Sequence, residues 1–429
     1  MKQLAVIGLG FVGLPLALSY AQKGVRVVGL DVLPKLVDDL NRGVSHHQER
    51  DGDKTLPEIL KDMIAQGLFQ ATTDYALLST LEIDTYIITV GLPVRQGVVD
   101  HTPLLSVAAS LGGILKHGNL VLVRSTVVPG MTEEIFLPEL ERVSGLKAGR
   151  DFSLAYSSER IAEGRAFEEF RTMPLAVGGI DEPSLRRAQD VLKIVTEAPI
   201  YTASIKVVET AKVIENIQRD VNIAMVQEFA RFTERYGLDT LEVIRIANTH
   251  KRVQLLTPGP GVGGYCLPYA YYYLKPKAEA MGLRLPLLSL ARQLNDGVPQ
   301  ALVNWVEEKL KERGKSFAHA RVAILGLAMK DYTNDDRESP PLVIAELLAA
   351  KGAHVRAYDP IVTRRYPFSV DTLEEAVTDA DALFFLARQK PFDTLDWSDI
   401  GRRLHKDAIV FDGRGVIPEK ALSQTILRI

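Results

Sequence analysis

One turn near the N-terminus restricts the fold of this chain more than any other stretch: Gly8-Leu-Gly10-Phe-Val-Gly13. It follows Gln3-Leu-Ala-Val-Ile7, a short apolar run of the kind that forms a strand buried on both faces, and apolar residues then recur at helical spacing as far as Lys23. Strand, glycine turn and helix in that order begin a parallel, doubly wound sheet. The glycines have separate duties. Gly8 permits the tight turn, Gly10 lets a phosphate approach the backbone, and Gly13 lets helix pack on strand. The amides that open the helix, those of Phe11, Val12 and Gly13, offer partial positive charge to a pyrophosphate. Asp31 ends the next strand, Val25 to Leu30, where an acid accepts hydrogen bonds from adenosine ribose hydroxyls. Because a carboxylate there repels a 2'-phosphate, the expected cofactor is NAD rather than NADP, a preference tempered by Lys35 close by.

The alternation continues at Thr85 to Val90 and Leu120 to Val123, and then the pattern changes. Ser204 to Tyr236 has the periodicity of one long helix, closed by Gly237 where a left-handed cap is expected. About 33 residues at 1.5 Å each would span roughly 50 Å, a length that joins domains or builds a subunit interface. Further helices are expected at Thr240 to Ala247 and Leu285 to Glu312. A second strand, glycine turn and helix begins at Arg321-Val-Ala-Ile-Leu-Gly326, runs through Pro341 to Lys351 and returns as the strand His354 to Asp359. Its turn, Gly326-Leu-Ala-Met-Lys330, lacks the later glycines, so it should not hold a dinucleotide pyrophosphate in the same way. The expected architecture is α/β: Rossmann-like doubly wound domains at 1–198 and 306–429, joined by a central helical domain at 199–305 that carries the long helix.

Composition removes several classes of function. With 51 basic against 54 acidic residues and a formal net charge of -3, nothing electrostatic points to nucleic acid or to an anionic membrane as partner. No run of 18 uninterrupted apolar residues is present, so a soluble cytoplasmic protein is expected. No metal-ligand cluster is evident. A single cysteine permits no internal disulfide, as suits a reducing compartment.

That cysteine, Cys266, ends Thr257-Pro-Gly-Pro-Gly-Val-Gly-Gly-Tyr-Cys266, where glycine and proline clear side chains from around one sulfur. Two fates are open to it: a presented nucleophile, or a small buried apolar residue, the commoner end of a free cysteine. On the long helix Lys212, Asn216 and Arg219 fall at i, i+4 and i+7, so they share one stripe. Arg124-Ser-Thr126-Val-Val-Pro-Gly130 follows a buried strand, where open parallel sheets put ligand contacts. Ser157-Ser-Glu159-Arg-Ile-Ala-Glu163-Gly164 sets two carboxylates four residues apart beside a base, a pattern equally open to an exposed ion-pair cluster.

Taken together, GLGFVGLP, RSTVVPG, SSERIAEG, KVIENIQRDVNIA, PGPGVGGYC and LGLAMKDYTNDDRESP, in that order over nearly the whole chain, resemble the nucleotide-sugar 6-dehydrogenases. The resemblance implies removal of two hydrides from a sugar C6 alcohol to two NAD molecules, with a cysteine thiohemiacetal and thioester between them. Cys266 then matches the nucleophile, Lys212 and Asn216 the donors to the reacting oxygen, Thr126 and Glu159 the residues that handle water, with Glu159 as general base, and Glu163 a supporting carboxylate. Gly261, Gly263 and Gly264 would bring backbone close to the sugar or its diphosphate, while Lys330 and Arg337 match positions that hold UDP. Asn248-Thr-His250-Lys-Arg252-Val-Gln is similar to the stretch found in members acting on UDP-N-acetylmannosamine or UDP-N-acetylglucosamine, as is the run around Arg219. In those members His250 and Arg252 would reach the sugar from a partner subunit, which implies a homodimer or a higher oligomer. The expected reaction is oxidation of a UDP-N-acetylhexosamine to its uronic acid, in the service of polysaccharide biosynthesis. UDP-glucose or another nucleotide sugar is the alternative substrate.

The chain also departs from the family pattern. Where an aspartate is expected four residues after the cysteine it has Ala270, where a threonine is expected near the nicotinamide ribose it has Leu92, and Lys251 replaces a proline. These changes raise a third reading, a nucleotide-sugar-binding homologue with impaired catalysis.

Overall fold

The computed structural model describes residues 3–418 and 420–428. The chain packs as two units, Met1–Glu215 with Tyr272–Arg284, and Asn216–Tyr271 with Leu285–Ile429, so that residues 199–305 contribute to both.

The first unit is built on β1 (Gln3–Ile7), β2 (Arg26–Leu30), β3 (Phe69–Thr72), β4 (Thr85–Ile88), β5 (Leu120–Val123), β6 (Ser153–Ser157), β7 (Leu175–Gly179) and β8 (Ile200–Thr202). Their order across the sheet is β8-β7-β6-β5-β4-β1-β2-β3. All pairs are parallel except β6 with β7. Strands of this kind are covered on both faces, which is why Leu120-Val-Leu-Val123 is buried at every position. The strand order reverses between β1 and β4, and ligands of open parallel sheets bind at such a switch point. Register puts the relevant ends together: Ile7 pairs with both Leu30 and Ile88, and Ile88 with Val123. Gly8, Asp31, Thr89 and Arg124 therefore leave the sheet along one edge. Helix α1 (Gly13–Gln22), buried from Gly13 to Ala21, packs back on this sheet.

Helix α2 (Ile205–Tyr236) matches its expected span and ends at Gly237 with φ +75°. It is followed by α3 (Thr240–Ala247), α4 (Cys266–Ala280) and α5 (Pro286–Lys311). Helix α4 is unforeseen, because prolines on both sides of the cysteine and a run of tyrosines hide its period. In the second unit a buried ion pair, Arg292 Nη1 to Asp220 Oδ1 at 2.6 Å, joins α5 to α2, and Asn295 Nδ2 donates to the same oxygen at 2.8 Å. Burial pushes the Asp220 carboxyl up, against the pull of Arg292.

The second unit also carries β9 (Arg321–Leu325), β10 (His354–Tyr358), β11 (Ala382–Phe385), β12 (Ile409–Asp412) and β13 (Thr425–Arg428), all parallel, in the order β10-β9-β11-β12-β13. Helix α6 (Pro340–Ala350) covers one face. The expected pair of doubly wound sheets with helical residues between them in sequence is thus the observed architecture. Among the described residues no helix is long and apolar enough to cross a membrane.

Tyr20 on α1 lies wholly inside the first unit and donates to the Val191 carbonyl at 3.2 Å. Burial pushes its phenol up to about 12. An unfolded tyrosine ionises near pH 10, so between pH 10 and 12 the unfolded chain loses this proton while the folded chain keeps it. Stability therefore falls across that window, by roughly 2 to 3 kcal/mol from this one group. Urea unfolding followed from pH 9 to 12 should show a shallower alkaline decline for Tyr20→Phe than for the parent; equal declines would refute the assignment.

Candidate active site

The glycine turn of the first unit is set by atoms, not by flexibility. Gly8 has φ +96°, and a Cβ on Gly13 would stand 1.8 Å from the Gly8 carbonyl oxygen, which Thr89 Oγ1 also contacts at 2.7 Å. Nothing lies within 4 Å of a Cβ on Gly10, so that residue is bare toward open space, as a pyrophosphate requires. Asp31 Oδ2 accepts from the Leu9 amide at 2.8 Å and its Oδ1 from Leu33 at 3.1 Å, which leaves each oxygen a lone pair for a ribose hydroxyl. Lys35 is turned to Asp39 at 2.8 Å. Phe11 packs its ring against His46 and His47, with centroids 5.9 and 5.2 Å away. These residues fit NAD.

Further along the same edge, Arg124 Nη2 meets Glu159 Oε2 at 2.6 Å, with side chains 2% and 9% exposed. The other oxygen, Glu159 Oε1, accepts from the Arg160 and Ile161 amides at 2.7 and 3.1 Å. The Glu159 carboxylate is therefore held by three donors. Thr126 is half-buried in the loop after β5, and Glu163 is half-buried after Glu159. Glu209, on α2 one turn before Lys212, accepts from the Gly130 amide at 2.6 Å and the Thr132 amide at 3.0 Å. Burial pushes its carboxyl up, while these amides pull the other way. Lys212 is itself buried. Leu92, in the place of the expected threonine, is buried, and its carbonyl accepts from Tyr273 Oη at 2.6 Å.

In the second unit Cys266 is exposed, which removes the reading of it as a buried apolar residue. It is the first residue of α4, and the buried Asn216 donates from Nδ2 to its carbonyl at 3.1 Å. The stripe seen in the sequence thus splits: Lys212 and Asn216 are buried, whereas Arg219 is exposed. His250 and Arg252 are exposed in the turn after α3, with the Arg252 amide 3.3 Å from His250 Nδ1.

The glycines before the cysteine have a packing role in addition to the expected one. A Cβ on Gly261 would stand 2.9 Å from Pro340 Cβ, one on Gly263 2.6 Å from the Glu338 carbonyl, and one on Gly264 2.4 Å from Met329 Sδ. Their close approach is to the 329–340 segment of the protein itself, and the sharpest of them, Gly264, has φ +73°. The Gly264 amide also donates to the Arg337 carbonyl at 3.0 Å. Arg337 turns its fork to the buried Asp335, Nε at 2.7 Å and Nη2 at 2.6 Å, and its plane lies 4.7 Å over the Tyr265 ring. Lys330 is half-buried seven residues earlier, in the same loop after β9. Ala270 has no exposed surface, so an aspartate there would be buried.

Three residues of this arrangement were not found from the sequence. Asp359 accepts from the Leu327 amide at 2.8 Å and the Ile361 amide at 3.0 Å, repeating the bonds of Asp31 in the other sheet. Comparing Gly8-Leu9 with Gly326-Leu327 would have revealed it. Glu209 and Asp335 carry no signal in periodicity, since the partners of each are backbone or charge brought by folding.

The fitted dinucleotide turn and switch point, with a second doubly wound sheet in the same chain, define an NAD-linked oxidoreductase. Residues 2–196, 206–297 and 323–419 match the NAD binding, central and UDP binding domains of the UDP-glucose/GDP-mannose dehydrogenase family, to which the chain belongs. It is a nucleotide-sugar dehydrogenase. It is 35% identical over 419 residues to the UDP-N-acetyl-D-mannosamine dehydrogenase of Pyrococcus horikoshii, covering 97% of this chain and 96% of that one. It is also 35% identical over 368 residues to the UDP-N-acetyl-D-glucosamine 6-dehydrogenase of Pseudomonas aeruginosa, covering 85% and 84%. Among solved structures, the UDP-D-ManNAc dehydrogenase of Pyrococcus horikoshii superposes with a TM-score of 0.91 at 32% identity over 100% of this chain and 99% of that one. The UDP-glucose dehydrogenase of Pyrobaculum islandicum does so with 0.88 at 28% identity over 100% and 97%.

The two glycines separate binding from folding. Gly10→Ala should keep the parental thermal midpoint and weaken NAD by about tenfold or more, about 1.4 kcal/mol, in a calorimetric titration. Gly13→Ala should instead lose about 3 kcal/mol or more of stability, because backbone meets backbone there.

Proposed function

We propose that this chain oxidises a UDP-N-acetylhexosamine, of the ManNAc or GlcNAc type, at C6 to the uronic acid, through a thiohemiacetal and a thioester on Cys266. The observation that carries the reading is an exposed thiol at the first residue of α4 whose own carbonyl is pinned by a buried amide, Asn216. Bound NAD supplies a hydride acceptor for each of the two oxidations. The chain supplies everything else. Lys212 takes the proton of the C6 alcohol as the aldehyde forms, and returns it to the oxygen when Cys266 Sγ adds to C6. The thiohemiacetal that results has one C6 hydrogen left, and its loss as hydride to the second NAD, with the hydroxyl proton passing again to Lys212, gives the thioester. Water then gives a proton to Glu159 as it adds to the thioester carbon, the C–S bond breaks, and the departing thiolate leaves a carboxylic acid that loses its remaining proton to solvent.

Lys212 and the Asn216 amide are the donors for the oxyanion at each tetrahedral stage. Thr126 and Glu159 direct the water, with Glu163 supporting. A carboxylate already bonded by Arg124 and two amides has little freedom to swing, which suits fixed aim at one water. Lys330 and Arg337 serve the UDP half, with Asp335 presetting the guanidinium plane. Arg219, His250 and Arg252 serve the sugar, the last two from a second copy of the chain in a homodimer. The names of the relatives support an acetamido sugar, and we place its oxidation in the cytoplasm, in the service of polysaccharide biosynthesis. Ala270 favours a second reading, in which nucleotide sugar is bound and oxidised poorly.

Purified protein given NAD and separate UDP-ManNAc, UDP-GlcNAc and UDP-glucose should form two NADH per uronate from an acetamido sugar. Binding of these sugars without NADH would sink the oxidative reading in favour of the second. In Cys266→Ser, kcat should fall by about a thousandfold or more, since an alcohol is a far poorer nucleophile than a thiolate at neutral pH. A variant that completed the second oxidation at the parental rate would exclude the covalent route.

A further inference from the structure

Within the first unit, the backbone of residues 160–166 is held almost entirely by buried carboxylates. Glu159 takes the Arg160 and Ile161 amides, Glu169 takes Ala162 at 2.5 Å, and Glu49 takes Gly164 at 2.6 Å and Ala166 at 2.9 Å. Glu49 comes from far away in sequence and is 3% exposed. Neither the cofactor turn nor the reaction proposed above uses it.

The segment around Glu49 is fixed at both ends. On one side His46 and His47 are stacked with centroids 4.8 Å apart and both lie against the ring of Phe11, in the middle of the glycine turn. Ser45 Oγ, 2.7 Å from His47 Nδ1, fixes the second ring. On the other side Asp51 accepts from Arg171 Nη1 at 2.9 Å, on the helix Ala166–Thr172 that continues from the 160–166 loop, and from Gln22 Nε2 at 3.1 Å at the end of α1. A continuous chain of contacts therefore runs from Phe11 through residues 46 to 51 to Gly164 and Ala166.

We propose that residues 45–51 are a strap that couples the dinucleotide turn to the 159–166 loop, with Glu49 as its positioning residue: a dinucleotide on the turn steadies Phe11 and the two histidines, and the strap passes that order to the loop that carries Glu159 and Glu163. The two carboxylate oxygens of Glu49 grip amides two residues apart, so the grip fixes both place and direction of the loop. The functional consequence rests on the roles proposed above for Glu159 and Glu163, whereas the coupling itself does not.

Hydrogen exchange of the whole chain, with and without saturating NADH and no sugar, reads the coupling directly. In the parent, NADH should slow exchange of the amides of residues 160–166 by about tenfold or more beyond any global stabilisation. In Glu49→Gln, NADH should bind within about threefold of the parental Kd, yet its protection should stop short of residue 160. Asp51→Asn, which loosens the strap at its half-buried end, should give the intermediate result and keeps the test sound if Glu49→Gln folds poorly. Equal loop protection in parent and variants, or none in the parent, overturns the strap. A protein that showed the coupling yet oxidised no nucleotide sugar would defeat the proposed reaction and leave the strap standing.

Discussion

Loops at the edge of a parallel sheet carry backbone N–H groups that no neighbouring strand takes, and leaving them unbonded inside a protein costs about as much as a lost hydrogen bond. In this chain carboxylates take them. Asp31 holds Leu9, Asp359 holds Leu327, Glu209 holds Gly130 and Thr132, Glu159 holds the two residues after it, and Glu49 holds Gly164 and Ala166. The bonds run from 2.6 to 3.1 Å, and a carboxylate, with two oxygens and several lone pairs, can take two amides at once. The functional loops owe their shape to these acids rather than to strand pairing, which ends where the loops begin.

The same device appears in both sheets and gives different outcomes. In each, a glycine with positive φ follows the first strand and an aspartate at the end of the second strand takes the next amide. Only the first sheet keeps Gly10 bare and Gly13 in contact with the Gly8 carbonyl, so only its turn is shaped for a pyrophosphate. In the second, the turn residue Met329 fills space against Gly263 and Gly264, and Arg337 is preset by Asp335. Two related frames thus accommodate different halves of the chemistry expected of a nucleotide-sugar dehydrogenase.

The departures from the family pattern also have physical settings. Leu92 is buried and offers its carbonyl to Tyr273, so the position serves packing and a tyrosine bond. Ala270 is enclosed completely, and a carboxylate there would carry the cost of burial unless a cation met it. Cys266 stays exposed, with its backbone and not its sulfur held by Asn216.

What the amino-acid sequence determined by itself was local: strands from apolar runs, the turn from Gly8, Gly10 and Gly13, the long helix up to Gly237, and the second sheet from Arg321 to Asp359. Periodicity and backbone allowance are properties of short windows, and those windows were intact. It missed helix α4, whose prolines and tyrosines obscure the period, and it did not foresee that Gly261, Gly263 and Gly264 lie against Pro340, Glu338 and Met329. Only the tertiary structure decided that Met329 and Pro340 pack against these glycines, that Asp335 takes the Arg337 fork, and that Glu49 reaches Gly164. Partners of a buried carboxylate are backbone amides or charges brought from elsewhere in the chain, and no spacing rule in a single sequence encodes where folding will bring them.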